Sequence, residues 1–155
     1  MSRPVRAALV SVSSTELTST EKSLLEKYNP LGVSLFNRNI ATPQQLQKLI
    51  ADIKETLGRE DALIAVDQEG GRVRSLREPD FRAYAGQQTL GRLYTEVSPA
   101  AAQKAVKIQA ALIAADLQTI VQRNYCVLRM KFAVDHFIWF LHTSYPLYNI
   151  LMSQN

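Results

Sequence analysis

Three apolar runs with little polar interruption set the fold class of this chain. "VRAALVSV" (Val5 to Val12), "GVSLF" (Gly32 to Phe36) and "LIAV" (Leu63 to Val66) lack the in-out alternation of a strand with one wet face. Continuous apolar strands are covered on both faces, the pattern of a parallel sheet flanked by helices. Helix signals lie between the runs. Thr18 stands three residues before Glu21, a capping-box spacing, and Leu24 and Leu25 follow on one face. Thr42, Pro43 and Gln45 supply a cap, a first-turn proline and a box partner. Leu46, Leu49, Ile50, Ile53 and Leu57 then mark an apolar face that Gly58 ends. The order strand, helix, strand, helix, strand predicts α/β architecture. After a long polar loop, Ser98 and Pro99 open an alanine-rich helix, "AAAQKAVKIQAALIAADLQ", and a fourth strand is due soon after it.

No clear fourth strand follows. From Val121 the composition changes, and the remaining residues hold the single cysteine, the single tryptophan and both histidines. Neither a period of two nor one of 3.6 persists, and "CVLRMKFAV" leaves a strand or a short helix open. The chain therefore divides into an α/β part, residues 1–120, and an atypical aromatic tail, residues 121–155.

The third apolar run ends on an acid, in "LIAVDQEGGRVR". In parallel α/β folds, ligand sites gather at the carboxyl ends of the strands, and Asp67 occupies such a place. Gly70 and Gly71 permit a sharp turn or a close approach. A carboxylate there accepts charge-assisted hydrogen bonds from sugar hydroxyls or an arginine. The alternative is a loop cap, with Asp67 bonded to nearby backbone amides and Glu69 paired with Arg72 or Arg74. A phosphate cradle fits less well: the segment is neither G-x-G-x-x-G nor G-x-x-x-x-G-K-[ST], and two acids precede the glycines.

Composition narrows the partners. The net charge of +4 and 18 basic residues are spread among acids, without the stripe that nucleic-acid binding requires. No run approaches the ~20 apolar residues that span a bilayer, and the apolar stretch near the N-terminus is shorter than a secretory core. One cysteine, Cys126, forms no internal disulfide framework. The expectation is a cytoplasmic protein with no nucleic-acid or membrane partner, no cofactor and no metal.

"GVSLFNRNIATPQQLQKLI", "LIAVDQEGGRV" and "AALIAADLQ" together resemble the N-terminal part of bacterial β-N-acetylglucosaminidases of glycoside hydrolase family 3. The D-Q-E-G-G-R-V run after an apolar strand, about thirty residues beyond an L-F-x-R-N segment, carries the resemblance from about residue 5 to about residue 120. It implies a (β/α)₈ barrel and retaining hydrolysis of a terminal β-N-acetylglucosamine from peptidoglycan fragments. It also implies that Asp67 bonds hydroxyls of that sugar. The family's arginine, two positions beyond the valine, is here Ser75, with Arg74 and Arg77 on either side, so Arg74 is the candidate for the second contact.

A retaining glycosidase needs a nucleophilic carboxylate and an acid/base. The family draws these from a later aspartate and a K-H-x-P-G-H-G loop, and no such loop stands in the 155 residues. Asp135 and His136 in "KFAVDHF" adjoin without that frame, so no catalytic residue is assigned. A whole (β/α)₈ barrel takes about 250 residues. The expectation is an incomplete barrel with about three parallel strands, inactive on its own, whose open sheet edge invites self-association. The tail either covers part of the open surface or is a frameshifted end. Two other readings remain: a non-catalytic sugar-binding or sheet-completing module, and a pseudogene product without function.

Overall fold

A computed structural model describes residues 3–121 and 126–129. Its elements, in chain order, are β1 (Arg6–Val10), α1 (Ser19–Tyr28), β2 (Pro30–Leu35), α2 (Pro43–Leu57), β3 (Leu63–Gly70), β4 (Val73–Arg74), α3 (Gln87–Arg92), α4 (Pro99–Val121) and β5 (Cys126–Arg129). A 3₁₀ turn at Asn37–Asn39 follows β2, and one π turn at Leu93–Val97 joins α3 to α4.

The helix ends follow the sequence signals closely. Thr18 accepts from the Glu21 amide while Glu21 returns a bond to the Thr18 amide, a complete capping box. At α2 the Thr42 hydroxyl accepts from the Gln45 amide at 3.1 Å, but the Gln45 carboxamide reaches one residue further back, to the Ala41 amide at 2.8 Å. Gly58 closes α2 with φ of 65°. All five expected apolar residues of α2 are buried. On α1 only Leu25 is; Leu24, one residue away and so about 100° around the helix, is left 47% exposed.

β1, β2, β3 and β5 pair in parallel, with β4 running antiparallel beside β3. The four parallel strands lie in chain order, β1–β2–β3–β5. Right-handed crossovers that step in one direction place α1, α2 and α4 on one face of the sheet, so the expected cover on both faces is not formed among the described residues, and β1 is exposed along its whole length. Consistent with this, α1 packs on α2 and α2 on α4. Leu35, Ile64 and Val66 meet Leu46, Ile50, Leu117 and Ile120 beneath those helices. The register Gly32↔Leu63, Ser34↔Ala65 and the alternation of side chains put Ser34, Ala65 and Asp67 on the opposite face.

The sheet holds one parallel strand more than the sequence pattern provides. Cys126–Arg129 lies in the segment where strand and short helix both stayed open, and it pairs with β3 as Ile64↔Cys126 through Asp67↔Arg129. Its sequence, "CVLR", is too short to show a period, and only the waiting edge of β3 selects the extended form. The expectations for the rest of the aromatic tail, including Asp135 and His136, lie outside the described residues. Among the described residues no helix is long and apolar enough to cross a membrane.

Candidate functional site

Two buried carboxamides fix the loops that follow β1, β2 and β3. Asn39 has no exposed surface. Its nitrogen donates to the Val12 and Ser14 carbonyls at 3.0 and 2.8 Å, and its oxygen accepts from the Phe36 amide at 2.9 Å. The loop after β1 is thereby fixed to the loop after β2. Gln45 adds to this from α2, donating to the Thr15 and Asn39 carbonyls at 2.7 and 3.1 Å. Arg38 donates to the Val12 carbonyl at 3.1 Å and lies 4.7 Å from the Phe36 ring centre.

Gln68 does for β3 what Asn39 does for β2. It is 1% exposed, accepts from the Ser75 and Leu76 amides at 3.1 and 3.0 Å, and donates to the Leu76 carbonyl at 3.2 Å. The Ser75 amide also reaches the Asp67 carbonyl at 3.0 Å. The chain after Asp67 is thus folded back on itself through β4, around a turn in which Gly70 and Gly71 take φ of 84° and 59°. These left-handed values and the crowding at both positions require glycine. A Cβ on Gly70 would lie 2.3 Å from the Ala85 carbonyl oxygen, and one on Gly71 2.7 Å from the Gly86 Cα.

Asp67 is half-buried on the face away from the helices. Among residues 3–120 the Asp67 side chain has no hydrogen-bond or ion-pair partner, while Glu69 and Arg74 each have partners of their own. Burial without a partner leaves a carboxylate ready to accept donors from a ligand. Glu69, the next acid, accepts from the Gln87 carboxamide at 3.1 Å. Arg74 stands opposite Gln68 in the β3–β4 register, 30% exposed, with its guanidinium 3.4 Å from the Glu78 carboxylate. Ser75 is buried and its amide is used within the loop. Among the described residues no three His, Cys, Asp or Glu side chains group as metal ligands.

Asp67, Gly70 and Gly71 stand out in the sequence as a strand end and a turn, although the strand itself continues to Gly70. Asn39 and Gln68 were not singled out, because a carboxamide's role in a buried loop depends on carbonyls that arrive from elsewhere in the chain.

No protein-family model matches the chain. Among curated proteins it is similar to the beta-hexosaminidase of Xanthomonas axonopodis pv. citri, 40% identical over 110 residues, 71% of this chain and 32% of the relative. It is also similar to the beta-hexosaminidase of Bordetella avium, 38% identical over 115 residues, 74% of this chain and 32% of the relative. Among solved structures it resembles NagZ from Neisseria gonorrhoeae in complex with N-trifluoroacetyl-D-glucosamine. The TM-score there is 0.67 at 31% identity, over 74% of this chain and 33% of that one. A glycoside hydrolase family 3 β-N-acetylglucosaminidase from Paenibacillus sp. shares the fold, with a TM-score of 0.62 at 24% identity over 75% of this chain and 20% of that one. The chain spans about a third of the length of the curated relatives it matches.

Proposed function

We propose, from the premise that this chain corresponds to part of a glycoside hydrolase family 3 β-N-acetylglucosaminidase, that its described residues form the sugar-gripping portion of such an enzyme. In this reading Asp67 accepts hydrogen bonds from hydroxyls of a terminal β-N-acetylglucosamine, and Arg74 gives a second, weaker contact because Glu78 already holds it. The observation that carries the reading is the half-buried Asp67 carboxylate, without a partner among residues 3–120, at the place where the parallel pairing of β3 ends. A parallel sheet in chain order with its helices on one face supports a (β/α)₈ frame, in which such strand ends hold the site.

The activity of the whole would be removal of β-N-acetylglucosamine from peptidoglycan fragments with retention of configuration, in the cytoplasm. Retention needs two carboxyl groups flanking the scissile bond. Asp67, serving the hydroxyls, is neither of them. The 155 residues on their own therefore bind sugar without cleaving it.

A chromogenic N-acetylglucosaminide and a calorimetric titration with N-acetylglucosamine test both halves. The expected result is no turnover and saturable binding near 1 mM or weaker, about −4 kcal/mol. Asp67→Ala should abolish that binding, and Arg74→Ala should weaken it less. Sustained turnover that disappears in Asp67→Ala would refute the inactive reading, and binding that survives Asp67→Ala would refute the role of the carboxylate.

A further inference from the structure

The turn that follows Asp67 is braced from outside β3 by a loop that is itself anchored on α4. Tyr84, 8% exposed, accepts the Gly71 amide on its carbonyl at 2.9 Å and donates its phenol to the Asp116 carboxylate at 2.5 Å. Ala85 abuts Gly70, and its carbonyl accepts from the buried Gln109 carboxamide at 3.0 Å. Gly86 packs on Gly71, and Gln87 bonds Glu69. Four consecutive residues, 84 to 87, thus touch three consecutive residues of the turn, 69 to 71. Gln109 and Asp116 are seven residues apart on α4, two helical turns on the same face, so one rigid element grips the loop at two points.

We infer that Tyr84, Asp116 and Gln109 are positioning residues, which hold the Glu69–Gly71 turn against the sheet and so set the carboxylate of Asp67 for its ligand. This rests on the sugar-binding reading above. The Tyr84 ring belongs to the buried core, whereas its phenol and the Gln109 carboxamide bond to the loop and its anchor on α4. Arg82, 3.5 Å from the other Asp116 oxygen, balances the charge that the phenol leaves exposed. Burial, and then the bond to Asp116, push the Tyr84 phenol well above its ordinary pKa, so it stays a donor throughout the working range.

Tyr84→Phe keeps the ring and removes the phenol, and Gln109→Ala cuts the second anchor should the first variant fail to fold. Amide hydrogen exchange in the 155-residue protein gives a readout that does not depend on sugar. Exchange at the Gly71 amide should quicken about tenfold in either variant, while amides of β2 and α2 stay as they were, because only the local opening is easier. Affinity for N-acetylglucosamine should fall about three- to tenfold, the effect of one lost anchoring hydrogen bond on the geometry of a polar contact. In a double-mutant cycle, Tyr84→Phe and Asp116→Asn together should cost no more than the larger of the two alone. Unchanged Gly71 exchange overturns the brace, and faster exchange with unchanged affinity overturns its role in binding. If the unaltered protein and Asp67→Ala both fail to bind sugar while Gly71 exchange still responds, it is the sugar reading that has failed, and the positioning role falls with it.

Discussion

Gly70→Ala measures how tightly the turn beside Asp67 is held, and Gly58→Ala is its matched control. Both glycines are left-handed, with φ of 84° and 65°. A non-glycine residue in that region costs about 1–2 kcal/mol. At Gly58 nothing lies within 4 Å of an added Cβ, so the conformational cost is the whole effect. At Gly70 the added carbon would sit 2.3 Å from the Ala85 carbonyl oxygen and 3.1 Å from the Tyr84 Cβ. The obstacle is backbone that cannot swing aside without moving Tyr84 and Gly86 as well. That displacement adds about 1–3 kcal/mol of overpacking. Breaking the Gly71-to-Tyr84 hydrogen bond adds about 0.5–1.5 kcal/mol more. Gly70→Ala should therefore destabilise the protein by about 2.5–6.5 kcal/mol, against about 1–2 kcal/mol for Gly58→Ala. For a chain of this size each kcal/mol lowers Tm by about 2–4 °C. Thermal unfolding followed by circular dichroism should separate the two variants clearly. Equal losses would show that the loop over the turn gives way freely, and the brace described above would have no basis.

Other expectations follow from single side chains. Gln68→Ala strips the Leu76 amide and carbonyl of their buried partner, and should cost about 2–4 kcal/mol in urea unfolding; a loss below 1 kcal/mol would mean that the loop finds other partners. Asp67→Asn, at a carboxylate with no partner among residues 3–120, should leave stability within about 0.5 kcal/mol of the original by the same measurement. Burial works to raise the Glu21 carboxyl, but hydrogen bonds from Thr18 and from the Ser13 amide outweigh it and hold the group at about 2, below its ordinary 4.5. Its folded value is depressed, so its stabilisation is present above pH 4.5 and is lost as pH falls toward 2. For a partly exposed group this amounts to about 1 kcal/mol after screening, and Glu21→Gln should flatten that part of the pH–stability profile.

Much of the frame was legible because it rests on local chemistry. The capping box at Thr18, the proline and apolar stripe of α2 and the glycine that ends it each declare themselves within a few residues, and the structure follows them. Boundaries depended on partners and were less visible. β3 runs past Asp67 to Gly70 because β4 returns to pair with it, and the segment that read as a polar loop contains α3 and the π turn before α4. β5 formed where the sequence showed no period, since the unsatisfied edge of β3 supplied what "CVLR" did not. At the site, the acid and the two glycines could be picked out by residue type and position. The pins that hold them, Asn39, Gln68, Tyr84 and Asp116, are ordinary polar residues in the sequence; their roles appear only when residues 7 to 32 positions apart are folded to within hydrogen-bond reach.

The central claim is that the Asp67 carboxylate, where the parallel pairing of β3 ends, grips an N-acetylated sugar. Titrating the ¹⁵N-labelled protein with N-acetylglucosamine tests it most directly. Saturable shifts centred on the amides of Asp67, Gly70 and Gly71, absent from a folded Asp67→Ala variant, are the predicted result. Shifts that persist in that variant, or that cluster on another part of the molecule, would contradict it.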